Sequence, residues 1–267
     1  MDPRDARPLI AGAIEEDLTL YAVGVPAGEL PGLFGRVSEN YQALGIAILL
    51  ASGEQARYRE CLVRSAWARL HQLRCAGALQ PPARERATSF GEGLFDALAA
   101  GHWRLAHDIA EACPPGWIPE GEYEDDFCHV RLIGLYTGDS PPEPAAVQAL
   151  LARHAQVLDG ARTPRLALGQ ALFDHDADAF AAAFEDFLRE ELEARMEARE
   201  RLGEPDADAA RVWMRGYVAT EALALLRVAE TAGIAPAGPH PLCPPGSLPA
   251  GPCPNFPDPF AEIEAAR

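Results

Sequence analysis

The stretch from Pro119 to Val130, PEGEYEDDFCHV, places five carboxylates within seven residues: Glu120, Glu122, Glu124, Asp125 and Asp126. It then turns apolar and adds Cys128 and His129. Such residues can ligate a cation, act as an acid pair, start a helix, or receive a basic partner. Calcium loops space their ligands as D-x-D-x-D-G and close on a bidentate Glu; that spacing is absent here. A carboxylate pair for glycoside chemistry can take its second member from distant sequence, so that reading stays open. Acids before and within the first turn of a helix favour its positive end, each by a few tenths of a kcal/mol up to about 1. A helix over 124–137, carrying Phe127, Val130, Ile133 and Leu135, follows at once. The acids therefore read first as a solvated helix start and second as a patch for a protein partner. Glu120 and Glu122, ahead of the helix, are the stronger partner candidates. Glu124, Asp125 and Asp126 are candidates that serve the fold as well.

Other chemical groupings are weaker. Cys128 and His129 are neighbours, so on a helix they point about 100° apart, which is poor geometry for a dyad. They read as a core thiol and a surface imidazole. The segment DHDAD, with Asp174, His175, Asp176 and Asp178, sits at a hairpin turn, where Asp is a natural cap. The six cysteines contain no C-x-x-C, which excludes zinc-type spacing and points to reduced thiols. No H-E-x-x-H, G-x-S-x-G, P-loop or dinucleotide fingerprint occurs, and the glycine pairs in GLFGRVS and SFGEGLF are isolated. The expectation is a protein that is not an enzyme, with no catalytic, metal or cofactor-binding residues. Glu221 lies inside the apolar run YVATEALALL. A carboxylate there needs a partner, and an Arg from a neighbouring helix is the expected one.

The elements that must position these groups are helical. Apolar groups surround most of 33–51, so this helix should be central. Residues 54–77 align Tyr58, Leu62, Ser65, Ala66, Arg69 and Leu73 near one stripe, with Gly77 as the C-cap. LQPPAR then breaks the chain. A short helix and a loop fill the first 30 residues. The segments 97–112 and 171–186 resemble each other, each a helix end, a tight polar turn and a new amphipathic helix. Over 176–202, Phe180, Phe184, Phe187, Leu188, Leu192 and Met196 fall at helical spacing, with Glu185–Arg189, Glu191–Arg195 and Glu197–Arg201 as i,i+4 pairs. Asp206 or Asp208 caps one further core helix, 207–232, which Gly233 stops. An extended segment near 240–248 lies on the bundle. The fold class is all-α: stacked antiparallel helical hairpins in a solenoid-like bundle, one domain over 1–248, then a loose Pro-rich tail over 249–267.

The net charge is −17. Residues 1–80 carry eight Arg against nine acids, 81–160 five against thirteen, and 161–267 ten against eighteen. The excess begins near the opening stretch and continues. Such a field repels nucleic acid and anionic membranes and speeds encounter with cationic partners. All 23 basic residues are Arg. The first 18 residues are acidic without a long apolar run, and no run of about 18 apolar residues follows. A cytoplasmic chain is the expectation.

Two segments carry a resemblance. YEDDFCHVRLIGLY (123–136) and GYVATEALALLRVAETAGIAPAGPHPLCPPGSL (216–248) resemble the immunity protein 49 family of bacterial polymorphic toxin systems. Its acidic E-D-D-F helix start matches Glu124–Phe127. Its late E-G/A-L-A-L-L-R helix matches Glu221–Arg227, and its P-L-C-P segment matches Pro241–Pro244. The resemblance covers roughly 88–248. It implies an all-α fold and neutralisation of a cognate toxin by stoichiometric binding. A −17 chain suits a basic, nuclease-like toxin, whose phosphate site the acids would mimic. The alternative is a helical-repeat adaptor that binds an endogenous protein or peptide; an α-helical metal-dependent hydrolase is the remote third reading.

Overall fold

The computed structural model describes residues 1–79, 84–234 and 238–265. Among these the regular structure is helical, and the single bridge pair, His240 with Cys243, is isolated. The helices are α1 (Pro3–Val23), α2 (Leu30–Ser52), α3 (Gln55–Ala78), α4 (Glu92–Ala100), α5 (Trp103–Ala112), α6 (Glu124–Leu135), α7 (Pro144–Val157), α8 (Pro164–Asp174), α9 (Ala177–Glu200), α10 (Ala207–Arg215), α11 (Thr220–Thr231) and α12 (Pro259–Ala265).

Sequential pairs form the hairpins. The helices α2 and α3 make the most extensive pairing and carry α1 on one side and α4 on the other. Further along, α4 packs on α5, α6 on α7, and α8 on α9. The last pair returns: α10 lies on α1 and α2, and α11 lies on α4. In an open solenoid each repeat touches only its neighbours, so this return closes the stack. The expected stripe on α3 is buried throughout, from Tyr58 to Leu73. Close helix crossings explain two glycines. A Cβ on Gly45 would come within 2.9 Å of the Cys61 Cβ, and one on Gly93 within 2.2 Å of the Arg69 Cβ. The SFGEGLF glycines thus serve helix contact. A smaller core of Leu132, Val147, Leu151 and Leu166 joins α6, α7 and α8.

Capping follows elementary chemistry. Asp176 accepts the Ala179 amide at 2.9 Å, Asp206 the Ala209 amide at 2.7 Å, and Thr163 the Leu166 amide at 3.3 Å. DHDAD is therefore a cap, with His175 in the left-handed region that ends α8.

The structure corrects several expectations. The first helix runs 21 residues, not a short one. Gly77 lies inside α3, which ends at Ala78, and the break expected at LQPPAR falls mostly on 80–83, outside the described residues. The helix expected over 207–232 is two helices. Ala219 is extended, and its amide donates to the Leu242 carbonyl at 2.9 Å. The Arg195 guanidinium of α9 donates to the carbonyls of Arg215 and Val218. Groups distant in sequence thus satisfy the backbone that an uninterrupted helix would have bonded to itself. The sequence reading did not place α7; its buried positions, Val147, Leu151 and His154, form a narrow stripe.

The segment beyond 248 is not loose up to Phe260. Arg59 donates to the carbonyls of Pro249, Ala250, Gly251 and Pro252 at 2.7–3.3 Å. His71 lies 2.8 Å from Asp258. The Phe260 ring is fully buried, 5.1 Å from Phe34 and 5.0 Å from His71. Prolines leave these carbonyls without a helical use, and Arg can serve several at once. Truncating a buried Phe costs about 3–5 kcal/mol, so Phe260→Ala should lower the unfolding free energy by that order. A denaturant titration showing no change would mean the ring is not anchored.

Candidate functional site: a charged cleft where helix starts meet

A cluster of charged and polar groups lies where α4, α6, α8 and α11 begin. Gly91 and Glu92, Asp126, Arg165, and Thr220 and Glu221 line one cleft of about 300 Å³, with Arg195, Arg215 and Glu191. Helix N-termini carry partial positive charge, so acids in their first turns sit where that charge favours them. This clustering follows from the break before α11, which puts Glu221 in a first turn instead of mid-helix.

Arg165 is the centre. Its Nε and Nη2 donate to the two Glu221 oxygens at 2.9 and 2.8 Å, and Nη1 donates to Asp126 at 2.9 Å. Glu191 stands 4.0 Å away, and the guanidinium lies over the Phe187 ring at 5.9 Å. The expected Arg partner of Glu221 thus comes from α8. Burial opposes ionisation of Glu221, yet Arg165 and His129 hold its carboxyl at about 2. Burial likewise disfavours charge on Arg165, but Glu221, Asp126 and Glu191 raise it above the ordinary arginine value. Asp126 moves the other way from Glu221: burial raises it and outweighs Arg165. The difference follows from sharing, since Glu221 takes two of the guanidinium hydrogen bonds and Asp126 one.

His129 corrects an expectation. It is 1% exposed, not a surface imidazole. Its Nε2 is 2.9 Å from Glu221 Oε1, although the approach lies off the direction a hydrogen bond prefers. Nearby His154 is 2% exposed; burial, with the charge of His129, pushes it down to about 4. Cys128 is a buried thiol as expected, and all six cysteines are free. No group of three or more metal-ligating side chains converges among the described residues.

Behind the cleft lies a second buried acid. Asp96 is fully buried at the junction of α2, α3, α4 and α11. It accepts from Gln42 at 2.7 Å and Ser65 at 2.6 Å, and Gln42 also donates to Thr220 at 3.0 Å. Burial raises it to about 7, against the lowering effect of these hydrogen bonds. A charged pair flags itself by one stray acid in an apolar run; Asp96, inside GLFDALAA, gave the same signal and was missed.

The five acids of the opening stretch have mostly internal uses. Glu122 accepts the amides of Ser89 and Ile118 at 2.7 and 3.1 Å, which ties the loop before α6 to the segment before α4. Glu124 pairs with Arg153 at 2.6 Å, and Asp126 with Arg165. Glu120 is exposed, and Asp125 is half-buried on the rim. Among the described residues, Glu122, Glu124 and Asp126 have internal partners, and no ion pair or side-chain hydrogen bond is made by Glu120 or Asp125.

The acidic face of α9 is exposed. Glu191–Arg195 and Glu197–Arg201 pair as expected, but Arg189 pairs with Asp186 at 2.7 Å and not with Glu185. Phe180, Phe184, Phe187 and Leu188 are buried, whereas Leu192 and Met196 are 40% and 54% exposed. The core ends near Leu188 and the rest of α9 extends past it.

No family model, curated protein or solved structure matches this chain, so its functional reading rests on its own residues.

Removing one partner of a buried ion pair costs roughly 3–5 kcal/mol, because the other charge is left uncompensated. Arg165→Met should destabilise on that scale, and Arg165→Met with Glu221→Leu should recover most of the loss. A double variant as unstable as the single one would show that the pair does not act as a unit. The two buried acids should have opposite pH signatures. Glu221 is lowered from 4.5, so its contribution is full above 4.5 and is lost as pH falls towards 2. Asp96 is raised from 3.8, so its contribution is full below 3.8 and is lost as pH rises through about 7. Melting curves against pH should therefore flatten at the acid end in Glu221→Gln and between pH 4 and 7 in Asp96→Asn.

Proposed function

We propose that this chain is an immunity protein that binds and neutralises a cognate, basic bacterial toxin by stoichiometric protein–protein interaction, without turnover. The observation that carries the reading is the surface of α9. Leu192 and Met196, one turn apart, form an exposed apolar spot. Glu185, Glu193, Glu197 and Glu200 lie exposed around it. An apolar centre with a charged rim is the usual anatomy of a protein interface, and the acidic rim selects a basic partner. Opposite charge speeds association, which suits a protein that must reach a catalytic toxin before much damage is done. The resemblance of 123–136 and 216–248 to immunity protein 49 sequences agrees with this reading and with a cytoplasmic site of action.

Co-expression with the toxin encoded at the adjacent locus is the direct test. Viability should be restored by the natural chain. Leu192→Asp with Met196→Asp should abolish protection and slow capture of the toxin, while the melting temperature stays within the small range expected of surface changes. Cell death despite the natural chain would sink the reading; protection by the double variant would remove α9 from it. One feature favours the adaptor reading instead. An apolar cleft of about 430 Å³, lined by Tyr136, Pro141, Pro142, Phe173 and Val228, fits a short apolar peptide segment.

A further inference from the structure

We propose that Asp96 is a proton-operated lock: as the neutral acid it holds the start of α11 against α2, α3 and α4, and its ionisation frees that start and opens the charged cleft. The hydrogen bonds around this fully buried side chain can be counted proton by proton. Ser38 Oγ donates to the Ser65 carbonyl at 3.0 Å, the Ser38 and Ser65 hydroxyls stand 3.0 Å apart, and Ser65 Oγ stands 2.6 Å from Asp96 Oδ2. A hydroxyl has one proton to give, so two serines supply two of these three bonds. With Asp96 ionised, Ser65 donates to it and one of the Ser38 contacts goes without a proton. With Asp96 neutral, its O–H donates to Ser65, Ser65 donates to Ser38, and Ser38 donates to the carbonyl. Every contact is then filled. Gln42 donates to the other oxygen, Oδ1, in either state.

Ionisation would also place a charge at a junction of four helices with no cation to pair with it, which is costly. Arg215 helps the charged form less than the hydrogen bonds do, and burial outweighs both, pushing Asp96 up to about 7. The route to water is short in bonds: Gln42 links Asp96 to Thr220, and both Gln42 and Thr220 line the cleft. Thr220 is the first residue of α11, and residues 216–219 before it are not helical, so this end can move without unwinding a helix. Other titratable groups surround the site. Tyr58 of α3 is fully buried and pushed well above its ordinary value by burial and by Asp96, so it stays neutral. Glu221 of α11, held at about 2, stays charged. Glu92 of α4 and Arg215 pair with each other at 3.4 Å. His129 of α6 stands against Phe95 and beside Glu221; an Asp96 variant separates its titration from that of Asp96.

The test uses the full chain labelled with carbon-13 and nitrogen-15. The Asp96 carboxyl carbon, assigned through bonds to its own backbone, should titrate near neutral pH. Amides at the start of α11, Leu223 to Leu226, should lose protection against hydrogen exchange about tenfold or more from about pH 6 to about pH 8.5. Amides of the α3 core, Leu62 to Leu70, should keep theirs. In Asp96→Asn the side-chain amide can donate to Ser65 and accept from Gln42, as the neutral acid does, so the α11 amides should stay protected across the same range. A carboxyl carbon that titrates in the ordinary aspartate range overturns the proposal. So does α11 protection that ignores pH, equal loss in α3 and α11, or the same α11 loss in Asp96→Asn. The carboxyl titration and the comparison of α3 with α11 use the natural chain, so they decide the matter even where the variant does not fold.

Discussion

A carboxylate at the start of the innermost late helix has to be neutralised, and much of the second half of the chain is arranged to do it. Glu221 is 88% buried by a 12% exposed side chain. An unpaired charge at that depth would cost several kcal/mol. Arg165 supplies the compensation from α8. It also draws in Asp126 from α6 and stands near Glu191 of α9. One guanidinium therefore fixes how four helices meet. Such pairs are weak evidence for stability as such, since apolar replacements can do as well. Their effect here is to specify which helix starts face one another.

The same economy recurs through the protein, and it depends on Arg. Arg59 serves four carbonyls of the C-terminal segment, Arg69 three oxygens between α3 and the segment before α4, and Arg195 two carbonyls besides Glu191. A guanidinium presents five donors in a fixed plane, and an ammonium cannot span such sets. Arg59 and Arg69 are buried, and 40 acids against 23 arginines leave an acid excess at the surface. The net charge of −17 is therefore unevenly expressed. The first acidic stretch is largely absorbed by amides and by Arg153 and Arg165, while α9 turns its acids outward and pairs only Asp186, Glu191 and Glu197 among the described residues. The face that a basic partner would meet is not the one with the densest acids in the sequence.

How much could be read in advance varied with the kind of signal. Caps were local and legible: Asp176 and Asp206 each bind an amide three residues on. So was the α3 stripe, because one helix face meets one core. The pairing of Glu221 was legible in kind, since an acid among apolar residues needs a cation. The identity of that cation was not, because Arg165 is 56 residues away. His129 was misjudged for the same reason: α6 alone does not reveal what lies against it, and Glu221 of α11 and Phe95 of α4 do. The α9 stripe was over-extended, because periodicity continues through Leu192 and Met196 after the core has ended.

The sequence by itself determined the helical class, the positions of most helix starts and hairpin turns, and an acid excess. Each of these is set by interactions within a few residues or by composition. Only the tertiary structure decided where the chain breaks before α11, how the segment up to Phe260 docks, and which acids face solvent. Those outcomes depend on hydrogen bonds and ion pairs between residues tens to almost two hundred positions apart, such as Ala219 with Leu242 and Arg59 with Pro252. Local propensity is silent about such partners, since each is chosen by which faces the closed stack brings together.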